Sequence, residues 1–219
     1  MRLRGSLALL LAGALALGWT PAGEARIAAA PPFHGRAERI DPELRARMSG
    51  ISWRPGCPVG FAGLRLLSVS HWGFDGRVHR GRLVVNRDAA VAMLGAMRAL
   101  YRQGFPIRQM RLVDAYHRSM AADNTSSFNC RTVAGSPGVW SEHAYGRAID
   151  VNPIENPYVT ESGYVSPPAG APFADRSRHA KGLIHGGGPA VAAFATADWG
   201  WGGDWSWPKD YQHFSATDR

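Results

Sequence analysis

The sequence predicts an α+β domain, and three observations carry the prediction. Leu64, Leu66 and Ser68 alternate with Arg65, Leu67 and Val69 across residues 64–71, and Leu83-Val84-Val85 follows beyond the Phe74-Asp75-Gly76 turn. That is the pattern of a β-hairpin. Between residues 88 and 103, Ala90, Leu94, Met97 and Tyr101 recur at three-to-four-residue spacing, which is the period of an amphipathic helix. Short strand-like runs at 107–116 and 148–151 add to the β content.

Length and composition agree with one domain. The 219 residues are 45% hydrophobic and 19% charged, enough apolar surface for a core without a disulfide scaffold and too much for a disordered chain. Lys and Arg outnumber Asp and Glu by 25 to 17, a net charge of +8. This excess suits an anionic partner and does not choose among nucleic acid, membrane and cell wall. Lys181 and Lys209 are the only lysines; the bias to Arg is explained by composition as readily as by a binding surface.

The N-terminus sets the expected compartment. Arg2 and Arg4 precede an apolar run over residues 7–17, then Pro21 and the small-residue Gly23-Glu24-Ala25. Residues 1–25 therefore read as a cleavable secretory signal, the run being well short of the roughly 20 residues that span a bilayer. Cleavage there would leave the basic excess nearly intact and no membrane span. Residues 26–56, rich in Ala, Pro and Arg, read as a tether with a helical turn or two at 42–48. The compact domain is expected over residues 57–219. Outside the cytoplasm Cys57 and Cys130, the only cysteines, are candidates for one disulfide; two separate buried thiols are the alternative.

Within the domain each element has a local cause. Asn86 or Asp88 can cap the helix at 88–103, and Gly104 with Pro106 ends it. Residues 121–137 are a polar loop. Residues 153–172 hold five prolines and no period, so an irregular loop, functional or disordered, is expected there. A short Ala-rich helix at 189–197 leads into Trp199-Gly200-Trp201-Gly202-Gly203-Asp204-Trp205, whose aromatics serve as core filling or as a carbohydrate-stacking surface, the core reading being favoured.

The chemistry concentrates in two short segments. In Ser141-Glu142-His143-Ala144-Tyr145-Gly146-Arg147-Ala148-Ile149-Asp150, Gly146 lets the backbone turn between His143 and Asp150, which sits on a strand. Imidazole nitrogen and carboxylate oxygen are zinc ligands, and a catalytic zinc takes three protein ligands and leaves a fourth position open. Near the C-terminus, Asp210-Tyr211-Gln212-His213-Phe214 can supply the third ligand, His213. Asp210, three residues earlier, can act as the base that takes a proton from attacking water and returns it to the leaving amine. Asp204 competes for that role, with a structural turn as its other reading.

These residues resemble a known family. Ser-x-His-x-x-Gly-x-Ala-x-Asp over 141–150, and Trp-Gly-Gly-Asp-Trp over 201–205 followed by Asp-x-x-His-Phe over 210–214, are similar to the zinc peptidases of bacterial cell walls. These are the D-alanyl-D-alanine carboxypeptidase and L-alanyl-D-glutamate endopeptidase superfamily. The resemblance spans roughly residues 64–214, and the two halves in this order are specific together. It implies a small antiparallel sheet bearing a zinc site, flanked by helices, a fold shared with animal Hedgehog-like signalling domains. It also implies His143, Asp150 and His213 as zinc ligands and Asp210 as base. The family's upstream Arg, which holds substrate and steadies the oxyanion, has two candidates here. The usual Ser-Gly-Tyr-Arg is replaced by Asp114-Ala115-Tyr116-His117-Arg118-Ser119, so Arg118 is one and Arg131, beside Cys130, is the favoured other.

The expected function is thus a secreted, monomeric, Zn2+-dependent peptidase that hydrolyses an amide in the peptidoglycan stem peptide. Its positive charge would draw it to an anionic wall, and no nucleic-acid partner is expected. The alternatives are a non-hydrolytic zinc-binding wall module of the same fold and a basic binding module in which the histidines are incidental. His34, His71, His79, His179 and His185 read as structural, while His117 is a candidate for substrate contact.

Overall fold

A computed structural model describes residues 30–113 and 116–217. The segment read as a secretory signal lies outside the described residues. Gly35–Arg39 forms an edge strand, β1, paired antiparallel along β2 (Leu64–Trp72), and β2 pairs in turn with β3 (Val78–Asn86) in the expected hairpin. Between β1 and β2 lies helix α1 (Pro42–Met48), started by Asp41, whose Oδ1 accepts the Leu44 N–H at 2.7 Å. Pro42 fits that first turn because its missing N–H would have no intrahelical partner there.

Here the structure corrects the tether reading. The compact unit begins at Pro31, not near Cys57. Ile40, Leu44 and Met48 recur at four-residue spacing, and all three are buried against Leu64, Leu66, Val84 and Phe128. The Ala, Pro and Arg content of the segment conceals these three anchors, which bury enough apolar surface to hold it on the sheet.

Helix α2 (Ala90–Arg102) lies against the hairpin, as its periodicity predicts. Met93, Ala96, Met97 and Leu100 pack on Leu67, Val69, Leu83 and Val85 in the main core. Asn86 organises the start by accepting the Asp88 N–H through Oδ1, whereas the Asp88 carboxylate meets Arg147 at 3.2 Å. Gly104, at φ +67°, ends the segment.

The expected strand at 107–116 shrinks to β4 (Gln109–Met110), and Tyr116–Ala121 is helical, α3. Two side chains explain the loss. The Arg108 N–H donates to Asn152 Oδ1 at 3.0 Å and the Arg111 N–H to Asn124 Oδ1 at 2.8 Å, so these donors are closed by side chains rather than by a neighbouring strand. What remains pairs in parallel with β5 (Asn124–Thr125).

The C-terminal half carries short elements on a tight plan. Helix α4 (Glu142–Tyr145) leads into β6 (Ala148–Asp150). The Pro-rich segment 153–172 is not wholly irregular: β7 (Tyr158–Val159) and β8 (Val165–Ser166) form a small hairpin, and a 3-10 turn covers Pro168–Phe173. After helix α5 (Pro189–Ala195) come β9 (Gly200–Trp201), β10 (Lys209–Asp210) and β11 (His213–Ser215). Strand β11 is central in the sheet β6-β11-β9, and β10 adds to the hairpin as β10-β7-β8. All pairings in both sheets are antiparallel.

Phe194 of α5 stacks on Phe214 of β11 at 4.1 Å, and Trp199 and Trp201 are buried beside them. The tryptophan-rich run therefore fills core at these two positions, while Trp207 is exposed. Cys57 and Cys130 form a disulfide that ties the segment before β2 to the loop before α4. The result is the predicted α+β fold of small antiparallel sheets flanked by helices. Among the described residues no helix is long and apolar enough to cross a membrane.

Candidate metal centre

Local structure brings two distant segments to one point. Ser141 caps α4 through its side chain, and Gly146 closes that single turn at φ +66°. A Cβ at Gly146 would lie 2.5 Å from the backbone nitrogen of Asn86, so only glycine lets α4 sit against β3 there. This short cap-to-cap turn points buried His143 inward. Asp150 ends β6 and His213 begins β11, and the two are direct partners across the antiparallel ladder. Opposed residues of such a pair share a face, so their side chains converge.

His143, Asp150 and His213 are all buried, and their ligand atoms lie within 4.8 Å of one another. His143 Nε2 is 3.2 Å from Asp150 Oδ1 and 3.3 Å from His213 Nδ1, and His213 Nδ1 is 3.2 Å from the same Oδ1. Zinc bonds of about 2.0–2.1 Å in a tetrahedron put ligand atoms about 3.3 Å apart. The three edges match that spacing.

The proton inventory points the same way. His143 Nδ1 is 2.7 Å from the Ser127 carbonyl oxygen, which can only accept, so Nδ1 carries the proton. With neutral imidazole, Nε2 is then a lone pair aimed at a carboxylate oxygen. Burial lowers the His143 pKa, outweighing the attraction of Asp150, and favours this neutral form. Burial alone would raise the Asp150 pKa, but the charge and hydrogen bonding of His143 and His213 hold that carboxyl well below the usual range. The lone pair of His143 Nε2 and the Asp150 carboxylate repel one another unless a proton or a cation lies between them. The donor set, two imidazoles and one carboxylate, suits zinc and leaves a fourth position for water or substrate.

Asp210 borders this cluster. Its Oδ1 is sealed from solvent and has no hydrogen-bond partner among the described residues. Burial pushes its pKa up to about 7, with Asp150 adding to the rise and His213 and Arg131 opposing it. The Arg131 charge also acts on His143. The backbone at Arg131 is fixed from both sides: Cys130 is held by the disulfide, and the Arg131 carbonyl accepts the N–H of Ser141, the cap of α4. Arg118 is exposed on α3, and Asp204 is exposed in a turn where its N–H donates to the Trp201 carbonyl. The structure thus gathers His143, Asp150, His213, Asp210 and Arg131, and leaves Arg118 and Asp204 apart. The side chain of His117 lies outside the described residues.

Sequence reasoning missed two neighbours. The Ser127 carbonyl, which orients His143, has no side-chain signature. Tyr158 sits directly opposite Asp210 across β7 and β10, and Asp210 is among the groups that raise its pKa, after burial. The alternation of the Pro-rich segment was too short to show it.

Residues 134–216 match the family model described as D-alanyl-D-alanine carboxypeptidase. The matched segment contains the triad and Asp210, and ends short of Arg131 on the N-terminal side. No curated protein and no solved structure matches the chain. Family match and triad agree on a site of the zinc-peptidase type.

Proposed function

We propose that this zinc metallopeptidase of the D-alanyl-D-alanine carboxypeptidase type hydrolyses an amide bond in the stem peptide of peptidoglycan, outside the cytoplasm and against an anionic wall. The observation that carries the reading is the convergence of His143 Nε2, Asp150 Oδ1 and His213 Nδ1 at mutual distances of 3.2–3.3 Å in a segment that matches the family. The Cys57–Cys130 disulfide supports an oxidising compartment, and the +8 net charge supports attraction to wall phosphates and carboxylates.

His143, Asp150 and His213 would hold the metal. When bound, zinc supplies Lewis acidity to the scissile carbonyl and acidifies water at neutral pH. The protein supplies the rest. Asp210, half-buried with Oδ1 sealed from solvent, takes the proton of the attacking water at its carboxylate and delivers it to the amide nitrogen as the C–N bond breaks. Arg131 donates to the carbonyl oxygen as negative charge develops, or grips a substrate carboxylate. His143 is kept in one tautomer by Ser127, so the ligand atom does not have to be reorganised during turnover.

The test is mass spectrometry of products from purified stem peptides. Cleavage that stops with a chelator and returns with zinc is expected; cleavage that ignores the chelator overturns the reading.

A further inference from the structure

Away from the triad, a cleft of about 670 Å³ opens beside β3, β4 and the segment after β6. Its basic lining is Arg80, Arg108, Arg111, His71 and His79, the last held by Asp75 at 2.9 Å, and its floor carries Asp123 and Glu155. The floor is built and rigid. Arg108 Nε lies 3.4 Å from Asp123 Oδ2, its Nη2 lies 3.1 Å from Glu155 Oε1, and its guanidinium lies 3.8 Å above the Phe74 ring. Both acidic side chains are only 5% exposed. Burial and Asp123 together push the Glu155 pKa up to about 7, so the acid pair can keep one proton between them and is balanced by Arg108.

That balance leaves the rim uncompensated. Arg80 and Arg111 are exposed, and neither has an ion-pair partner among the described residues. Two unmatched guanidinium groups at the mouth of a cleft with a neutral floor select an anion, and guanidinium geometry suits a carboxylate. The cleft is also close to the chemistry. Asp123 is three residues before Ser126, which bridges Asp150, and three residues of chain span at most about 10 Å.

We propose that this cleft is a remote substrate subsite that holds a free carboxylate of the peptide about three residues from the amide being cleaved. The inference rests on the peptidase reading above and adds to it a determinant of substrate choice. A stem peptide carries carboxylates along its length, so the subsite would distinguish a free acid from its amide at one position.

The experiment compares two synthetic stem peptides that differ only in a carboxylate or a carboxamide three residues from the cleaved bond. With zinc-loaded wild type, kcat/KM is expected to be about tenfold higher for the acid, mostly through KM. In Arg80→Gln/Arg111→Gln that preference falls to about one, while zinc content and the kcat for the amide peptide stay unchanged. An equal kcat/KM for both peptides in wild type, or a preference that survives the double substitution, overturns the subsite. If neither peptide is turned over, the peptidase reading fails, and the subsite is judged by the affinities of the two peptides in titration calorimetry. Equal affinities, or a double variant that loses only binding to a glycerol-phosphate polymer, overturn it.

Discussion

Asp150 and His213 face each other across the β6–β11 ladder, with Oδ1 and Nδ1 3.2 Å apart. One antiparallel pairing therefore places two of the three candidate ligands, and the capped turn of α4 brings His143 to the same oxygen. The ladder is backed by Phe214, wholly buried against Phe194, so the spacing is held by the core and not by the exposed surface. A site on such a ladder is preorganised before metal enters.

His143→Ala is expected to lower zinc affinity by more than about 100-fold and to abolish hydrolysis at limiting metal, with little change in fold without metal. Metal analysis after dialysis checks the first point. A variant that holds one zinc per chain as tightly as wild type would remove His143 from the ligand set.

Asp210→Asn keeps the shape of the side chain and removes its basicity. The expected loss is about 10²–10⁴ in kcat, with zinc content unchanged, because proton transfer contributes on that scale. Steady-state kinetics beside metal analysis checks it. Unchanged kcat would transfer the base role elsewhere and favour a zinc-binding module without turnover.

The two arginines separate cleanly. The charge of Arg131 reaches His143 and Asp210, whereas Arg118 is exposed on α3. Arg131→Gln is expected to lower kcat/KM by about 10²–10³, the scale of a lost oxyanion donor, and Arg118→Gln by less than about twofold. The reverse order would mean that the loop at 124–131 only scaffolds the site.

How far the sequence discloses the site follows from where each contact comes from. His143 and Asp150 are seven residues apart in one motif, and His213 lies in another, so local spacing brings all three forward as candidates. Arg131 and Arg118 cannot be ranked locally, because the disulfide and the Ser141 N–H that bonds the Arg131 carbonyl are long-range facts. The helix α2 is legible because its period runs through 13 residues, and the β2–β3 hairpin because apolar runs flank the turn at Asp75-Gly76. Residues 107–116 mislead because Asn124 and Asn152 close backbone donors that a strand would have used. Ile40, Leu44 and Met48 are hidden by the composition around them.

Gly146→Ala should destabilise the fold and the site together. A left-handed residue with a Cβ costs about 1–2 kcal/mol, and the contact of 2.5 Å with the Asn86 backbone adds to it. The Gly146 carbonyl also accepts the Asn86 N–H at 2.8 Å, so relief of the clash pulls α4 from β3. A fall in Tm of about 5 °C or more is expected by thermal unfolding, with weaker zinc binding because His143 rides on that turn. A variant with wild-type Tm would show that α4 can shift without cost.

Glu155 gives the pH dependence of stability its sign. Its pKa is pushed up from 4.5 to about 7 in the folded protein, by burial first and by Asp123 second, against the pull of Arg108. The folded state therefore holds this proton more tightly than the unfolded chain. The stabilisation is fully present below about pH 4.5, declines as pH rises through 7 and is gone above it, where two carboxylates face each other on the cleft floor. The shift corresponds to roughly 3 kcal/mol. Glu155→Gln imitates the protonated acid at every pH: its amide can donate to Asp123 and its oxygen can still accept from Arg108. Between pH 5 and pH 8 wild type is expected to lose roughly 5–10 °C in Tm relative to this variant, the difference cancelling titrations common to both. Parallel curves of Tm against pH would show that Glu155 holds no extra proton in the folded state and that the acid pair stands doubly charged beside Arg108.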